Sequence, residues 1–407
     1  MTDGVLPVAM QAADNLPVPA AKIAPVASPL HSGIGVTTFY SLHVLGALFP
    51  LTAGLLLYGW RAAGVTAVVM GSAAAAAAVW RRIGTRGRQV RVRYCLWLGL
   101  ILSLMLPAQL FTLRGSPAVW PILPAAGICV VIFSWLLGGL GTERIHPSLA
   151  TTLVLCLLFA GLMTPRYVLR VDRMFLGDLL KSDDGINQAR LRSDPWMNAP
   201  PPGPYDSLMV ESPGQNLLAY TASQQHTERA SLTVQMLIRD QMPALEDLII
   251  GGQSAAIGAG SAIAIIVGGL FLLYRGLIDF RIPLLATIAA MIALLILPIP
   301  VLITDTRTEW HWLAFREHYL GWSTAITFVN YEILAGPLLF TVFFLATAPG
   351  IRPLSRRGRT IFAIVLGVLA GVFQLYASVL IGPYIALLVA SLLTPTMDRR
   401  LKPRTLV

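Results

Sequence analysis

What this chain of 407 residues most lacks is charge. Asp, Glu, Lys and Arg make up 12% of it and hydrophobic residues 56%, whereas an ordinary soluble domain carries about 25% charged residues. A soluble fold of this length could not cover its surface with so few charges, so the composition points to an integral membrane protein. The formal net charge of +10 would by itself suggest a nucleic-acid binder. The basic residues sit instead in short loops between apolar runs and form no soluble basic face, so nucleic acid is not an expected partner. Cysteine is scarce too. Cys95, Cys129 and Cys156 all fall inside apolar runs with no C-x-x-C pair, which leaves the chain unable to build a four-thiolate cluster alone. They read as small buried hydrophobes. Only His43 lies well inside an apolar run, while His31, His146, His311 and His318 fall in loops or at ends. A haem held by two intramembrane histidines is therefore not expected. Walker loops, dinucleotide fingerprints, zinc-protease motifs and nucleophile elbows are all missing.

Long apolar runs are abundant. Ten of them, at residues 36–59, 62–80, 95–113, 118–140, 149–165, 255–274, 283–304, 324–346, 360–377 and 379–396, approach the roughly 20 residues that cross a bilayer. Each is expected to be a helix, which satisfies its own backbone in lipid. The fold class is thus an all-α integral membrane protein of about ten transmembrane helices. Residues 1–30 are expected to form a flexible tail, 31–165 a first five-helix repeat, 166–246 one long extracytoplasmic loop, 247–398 a second five-helix repeat, and 399–407 a basic cytoplasmic tail. Trp60, Trp80, Trp120, Trp310 and Trp322 fall near predicted ends, as interfacial anchors do.

Orientation follows from the basic residues. Placing both termini in the cytoplasm puts Arg81, Arg82, Arg86, Arg88, Arg91 and Arg93 there. Arg352, Arg356, Arg357, Arg359 and the tail Arg399, Arg400, Lys402 and Arg404 join them. The loop 166–246 is net acidic and lies outside. Leu55-Leu56-Leu57-Tyr58-Gly59-Trp60-Arg61 ends the first run and Leu272-Leu273-Tyr274-Arg275-Gly276 ends the sixth. An odd number of helices per half makes the halves inverted, an arrangement that places sites at the midplane. Gly71-Ser72 followed by six alanines marks the second run as a closely packed interior helix.

Few polar groups fall within the runs. Glu332 is the clearest, and an intramembrane carboxylate is costly enough to suggest function; the competing reading is a wetted residue near a helix end. Gly138-Gly139-Leu140-Gly141 reads as a flexible turn of closely packed backbone. Gly251-Gly252-Gln253-Ser254 and Gly258-Ala259-Gly260-Ser261 predict irregular backbone at the entry to the sixth run, tolerated only where protein encloses it. Exposed amides there could hold an anionic or polar ligand.

In order and spacing these landmarks resemble the family of RnfD and NqrB, membrane components of the Rnf electron-transport complex and of the sodium-pumping NADH–quinone reductase. Ser28-Pro29-Leu30-His31-Ser32, Leu106-Pro107 and Trp120-Pro121 fit the early spans. Gly138-Gly139-Leu140-Gly141 through His146-Pro147-Ser148-Leu149-Ala150 resembles the turn G-G-L-G then N/H-P-A-L. Ile257-Gly258-Ala259-Gly260-Ser261-Ala262 resembles I-G-E-T-S-A, and Phe343-Phe344-Leu345-Ala346-Thr347-Ala348-Pro349 resembles F-F-M-A-T-D-P. Pro395-Thr396-Met397-Asp398-Arg399 resembles P-L-I-D-R.

The resemblance implies a multi-pass subunit of the bacterial inner membrane that relays electrons through flavins, beside other membrane or periplasmic subunits. The family carries FMN on the threonine of an outer S-G-A-T motif. Its counterpart here is Asp194-Pro195-Trp196-Met197-Asn198-Ala199-Pro200-Pro201. Pro200 stands at the threonine position and has no hydroxyl, so covalent FMN is not expected. The family's polar positions fall on Ala259 and Ala348. What the resemblance leaves is a scaffold holding non-covalent flavin, riboflavin or FMN, or anchoring a redox partner. The cofactor-binding candidates are Asp194, Asn198, Ala199, Gly258, Ser261, Gly139, Gly141, His146 and Glu332, with no catalytic and no metal residue. A transporter, or a non-redox scaffold on the same fold, is the rival reading.

Overall fold

The computed structural model describes residues 36–83, 91–111, 121–139, 143–169, 207–209, 212–222, 242, 245–304, 307–312 and 322–401. The chain divides into two units, Met1–Phe39 and Tyr40–Val407. Of the first unit only the opening turn of α1 is described. All the other elements belong to the second.

Helices dominate. The first half contributes α1 (Val36–Tyr58), α2 (Trp60–Ile83), α3 (Val92–Met105), α4 (Ile122–Leu136), α5 (Pro147–Leu158) and the short α6 (Ala160–Met163). Between the halves lie the hairpin β1 (Tyr167–Leu169) and β2 (Ser207–Met209), then α7 (Pro213–Ala222) and α8 (Leu245–Ile250). The second half holds α9 (Ala262–Tyr274), α10 (Arg281–Ile296) and the hairpin β3 (Pro298–Thr304) and β4 (Arg307–Trp312). After these come α11 (Trp322–Ala335), α12 (Leu338–Leu345), α13 (Arg356–Tyr376) and α14 (Gly382–Arg400).

Among the described residues three helices, at Thr38–Tyr58, Trp60–Arg82 and Arg356–Tyr376, are long and apolar enough to cross a membrane. The pair α11 and α12, bent by 62° at its break, makes a fourth if counted as one span. Others are short. α3 has 14 residues, α5 has 12 and α9 has 13, so α9 rises only about 20 Å against a hydrocarbon layer of about 30 Å. Non-helical chain continues the path after α3 and before α9.

The predicted helix at 283–304 is corrected at its end. Pro298 and Pro300 lack the N–H a helix needs, and the β-branched run that follows pairs as β3 with β4, Pro298 facing Trp312. The fold is therefore helical with two small hairpins. Large apolar side chains remain exposed, among them Leu56 at 58%, Leu157 at 83% and Leu270 at 55%. Outward apolar faces of this extent suit a bilayer rather than water.

Small residues set the closest helix contacts. On α13, Gly367 and Gly371 form a G-x-x-x-G pair. A Cβ on Gly367 would lie 2.2 Å from the Ala286 carbonyl oxygen of α10, and one on Gly371 would lie 2.9 Å from Ala293 Cβ. In the first half a Cβ on Gly127 of α4 would lie 2.6 Å from the Val69 carbonyl oxygen of α2. The second and fourth helices of each half thus pack through small residues. The alanine-rich α2 buries one face, through Ala62, Val65, Val69, Ala73 and Ala77, but leaves Val79 54% exposed. It is packed on one side rather than enclosed. The two turns matched in sequence also match in shape, Gly59 at φ 65° and Gly276 at φ 69° each closing the first helix of its half.

Candidate functional site

Two breaks lie close together in the bundle. α3 ends at Leu106-Pro107, whose proline cannot continue the helix, and a 3-10 turn at Ala108–Leu110 follows. The segment before α9 is irregular and crosses this break. Ile257 N–H donates to the Leu106 carbonyl at 3.1 Å and Gly258 N–H to that of Leu104 at 2.7 Å, while Pro107 and Ala256 form an isolated antiparallel bridge. Only glycine fits at 258, where a Cβ would lie 2.6 Å from Leu104 Cβ. The backbone groups left by one broken element satisfy those of the other, as burial in an apolar bundle demands.

Beside the crossing lies a cavity of about 330 Å³. Met105, Thr152, Ala259, Pro337, Ser378 and Tyr384 are among the residues lining it, and no Lys or Arg is among the described ones. Tyr384 is 4% exposed, and its hydroxyl has no hydrogen-bond partner among the described residues.

The other break, between α11 and α12, falls at Gly336-Pro337. A helix end exposes its last carbonyls, and here two side-chain amides from elsewhere reach them. Gln374 of α13 donates its Nε2–H to the Glu332 carbonyl at 2.9 Å, and Gln253 donates to the Leu334 carbonyl at 3.2 Å. Gln253 is itself held, its backbone carbonyl accepting the Tyr58 hydroxyl at 3.0 Å. The Glu332 side chain is wholly buried, and among the described residues neither carboxyl oxygen has a partner. It does lie near a helix end, in the last turn of α11, as the competing reading had it, but it is not at a surface.

A second polar cluster surrounds Glu143 in the turn between α4 and α5. Its carboxylate accepts hydrogen bonds from the Tyr94 hydroxyl and, at 3.1 Å, from the Ser134 hydroxyl. Burial pushes its pKa up to about 7 against the opposing pull of those two donors. His146 caps α5, its Nδ1 accepting Ser148 N–H at 3.3 Å, and its ring lies 5.2 Å from that of Trp97. Burial, then the nearby His43, lowers its pKa to about 3, so it is neutral. A narrow cleft here is lined by Tyr40, Tyr94, Trp97, Glu143, His146 and Ala348.

The candidates named from sequence thus divide. Asp194, Asn198, Ala199 and Gly141 lie outside the described residues. Gly139 is a turn residue at φ 80°. Gly258 serves close backbone passage, and Ser261 caps α9, accepting Ala264 N–H at 3.4 Å. Of the amides expected to be open for a ligand, those of Gly251, Gly252, Gly258 and Ala259 are occupied, the last donating to Ala256 at 2.9 Å. Sequence reasoning missed Tyr384, Gln374 and Glu143. The last lies within the G-G-L-G to H-P turn that had drawn notice.

Apolar helices broken at enclosed polar crossings define a multi-pass helical membrane protein. A profile of the NQR2, RnfD, RnfE family matches residues 26–407, and the chain belongs to that family. It is 27% identical over 374 residues to the D subunit of an ion-translocating oxidoreductase complex of Halorhodospira halophila, covering 89% of each chain. The corresponding D subunit of Stutzerimonas stutzeri is also 27% identical, over 381 residues and 89% of this chain against 90% of that one. The D subunit of the Na(+)-translocating ferredoxin:NAD(+) oxidoreductase complex of Acetobacterium woodii is 28% identical over 166 residues, 40% of this chain and 43% of that one.

Proposed function

We propose that this chain is a membrane subunit of an Rnf-like ion-translocating electron-transport complex, without covalent FMN, holding a flavin non-covalently beside its broken helices. Family membership supports the complex. The flavin reading rests on the cavity beside the α3 break. At about 330 Å³ it is at the lower end of the roughly 300–1,000 Å³ of small-molecule pockets. Its wall is mostly apolar with few polar groups, as a planar ring requires, and the Tyr384 hydroxyl is a donor awaiting an acceptor. None of the described residues that line the cavity is basic, so they offer a phosphate no counter-charge and suit riboflavin better than FMN. A flavin supplies one- and two-electron storage; the chain supplies a dry wall, a hydroxyl to orient the ring, and a rigid crossing of backbone.

The same reading places ten helices as two inverted five-helix halves in a bacterial inner membrane, both termini cytoplasmic and residues 166–246 outside. Basic loops, the paired Gly59 and Gly276 turns, and the matching α2–α4 and α10–α13 contacts support it. Partners are the other subunits of the complex, membrane or periplasmic.

Native purification tests the proposal. A flavin spectrum, release of that flavin into the supernatant on denaturation, and co-purifying redox subunits are expected. Flavin retained on the denatured chain would refute the non-covalent part. A colourless chain that moves solute in proteoliposomes would favour a transporter, the reading that broken helices at a midplane also suit.

A further inference from the structure

We propose that Glu332 is a proton-binding site inside the bundle, a carboxyl that takes up and releases a proton within its own enclosed setting. Three observations carry it. The side chain is 0% exposed, and among the described residues neither carboxyl oxygen finds a hydrogen bond or ion pair. A bare carboxylate so placed would cost several kcal/mol, and such groups neutralise instead. It also stands in the last turn of α11, and the carbonyl end of a helix is its negative pole, the wrong place for an anion. Finally, the Gln374 amide lies against residue 332 with its nitrogen committed to the backbone and its oxygen Oε1 buried without a donor. The amide N–H that Gln374 brings to residue 332 therefore goes to its backbone and leaves a carboxylate without a donor.

The break is what makes the site usable. Gly336 and Pro337 stop α11 in mid-bundle, and Gln253 and Gln374 tie its end to the segment before α9 and to α13. A charge gained or lost at Glu332 would arise beside the bonds that tie α11 to α13 and to the segment before α9. The assignment rests on this chain's own oxygens and is independent of whether flavin is bound.

A hydrophobic carbodiimide applied to the full chain in native membranes tests it. The reagent needs the acid form. The carboxyl proton passes to a carbodiimide nitrogen as the carboxyl oxygen bonds the central carbon, and the O-acylisourea rearranges to a stable N-acylurea that keeps every atom of both. Peptide mass mapping should find the adduct on Glu332, with the hydrophobic reagent and not with a water-soluble one. The adduct should vanish in Glu332→Gln. No adduct on Glu332 in the wild-type chain would overturn the proposal. So would equal labelling by the water-soluble reagent, which would mark an open, wetted carboxylate, or suppression by sodium ions, which would put a metal cation there.

Discussion

Glu143→Gln should change how the stability of this protein depends on pH. The carboxyl titrates at about 7 in the folded chain against 4.5 for a free side chain. Between those values the folded state holds a proton that the unfolded state has released. Stability from this group is therefore complete below pH 4.5 and is lost as pH rises, fading out above pH 7. The displacement corresponds to about 3 kcal/mol, and with Glu143 only 6% exposed solvent screening leaves most of it. Glutamine keeps the shape, can still accept from Ser134 and does not ionise. The stability of Glu143→Gln minus that of wild type should be near zero at pH 4.5 and climb to about 3 kcal/mol at pH 8. Taking the difference removes the groups common to both proteins, His146 among them. A fluorogenic thiol dye during thermal unfolding in detergent is a suitable assay, because Cys95 is free and 0% exposed and reacts only when the bundle opens. A flat difference between pH 4.5 and 8, or one that falls, would refute the reasoning.

Two further substitutions test the packing and the cavity. Gly367→Leu drives a side chain into the Ala286 backbone and should cost at least about 1–3 kcal/mol, whereas Gly71→Leu, with nothing within 4 Å of the added Cβ, should be neutral or stabilising; thiol-dye melting temperatures compare them. Tyr384→Phe removes a buried hydroxyl that lacks a partner, so the flavin-free protein should gain about 1–3 kcal/mol while flavin binding weakens about fivefold, read from melting temperatures and from dissociation constants by fluorescence quenching.

The helices were legible because apolar runs bounded by charge leave the backbone few choices. Their ends were less so. The run from Ile282 onward stays apolar through Thr304, and nothing in its hydropathy separates α10 from β3; only Pro298 and Pro300 carry that signal. Likewise Leu106-Pro107 and Gly336-Pro337 each interrupt one apolar run, and the meeting of the Leu106 break with the segment Gln253–Ser261 is a long-range fact that no local pattern states. Glu332 was visible as a charge out of place. Gln374, which gives it a neighbour, was not, since a lone amide in an apolar helix has no motif. Glu143 was hidden in another way. It sits in a turn, where a carboxylate is unremarkable, and becomes unusual only when Tyr94 and Ser134 close over it.

The two positions at which the sequence resemblance leads one to expect a carboxylate, Ala348 and Ala259, have unequal surroundings. Ala348 stands where the family pattern has aspartate, yet it lines the same cleft as Glu143. A carboxylate is therefore still present there, supplied by the opposite wall and held by two hydroxyl donors. Ala259 stands where the pattern has glutamate and lines the cavity beside the α3 break. No carboxylate is among the described residues that line it, and an alanine takes less room there than a glutamate would. An uncharged planar ligand gains from both changes, because removing a buried anion lowers the cost of excluding water and the vacated volume admits a ring. On the proposed reading, Pro200, without a hydroxyl for a covalent flavin, and Ala259, with room beside it for a free one, would act in the same direction.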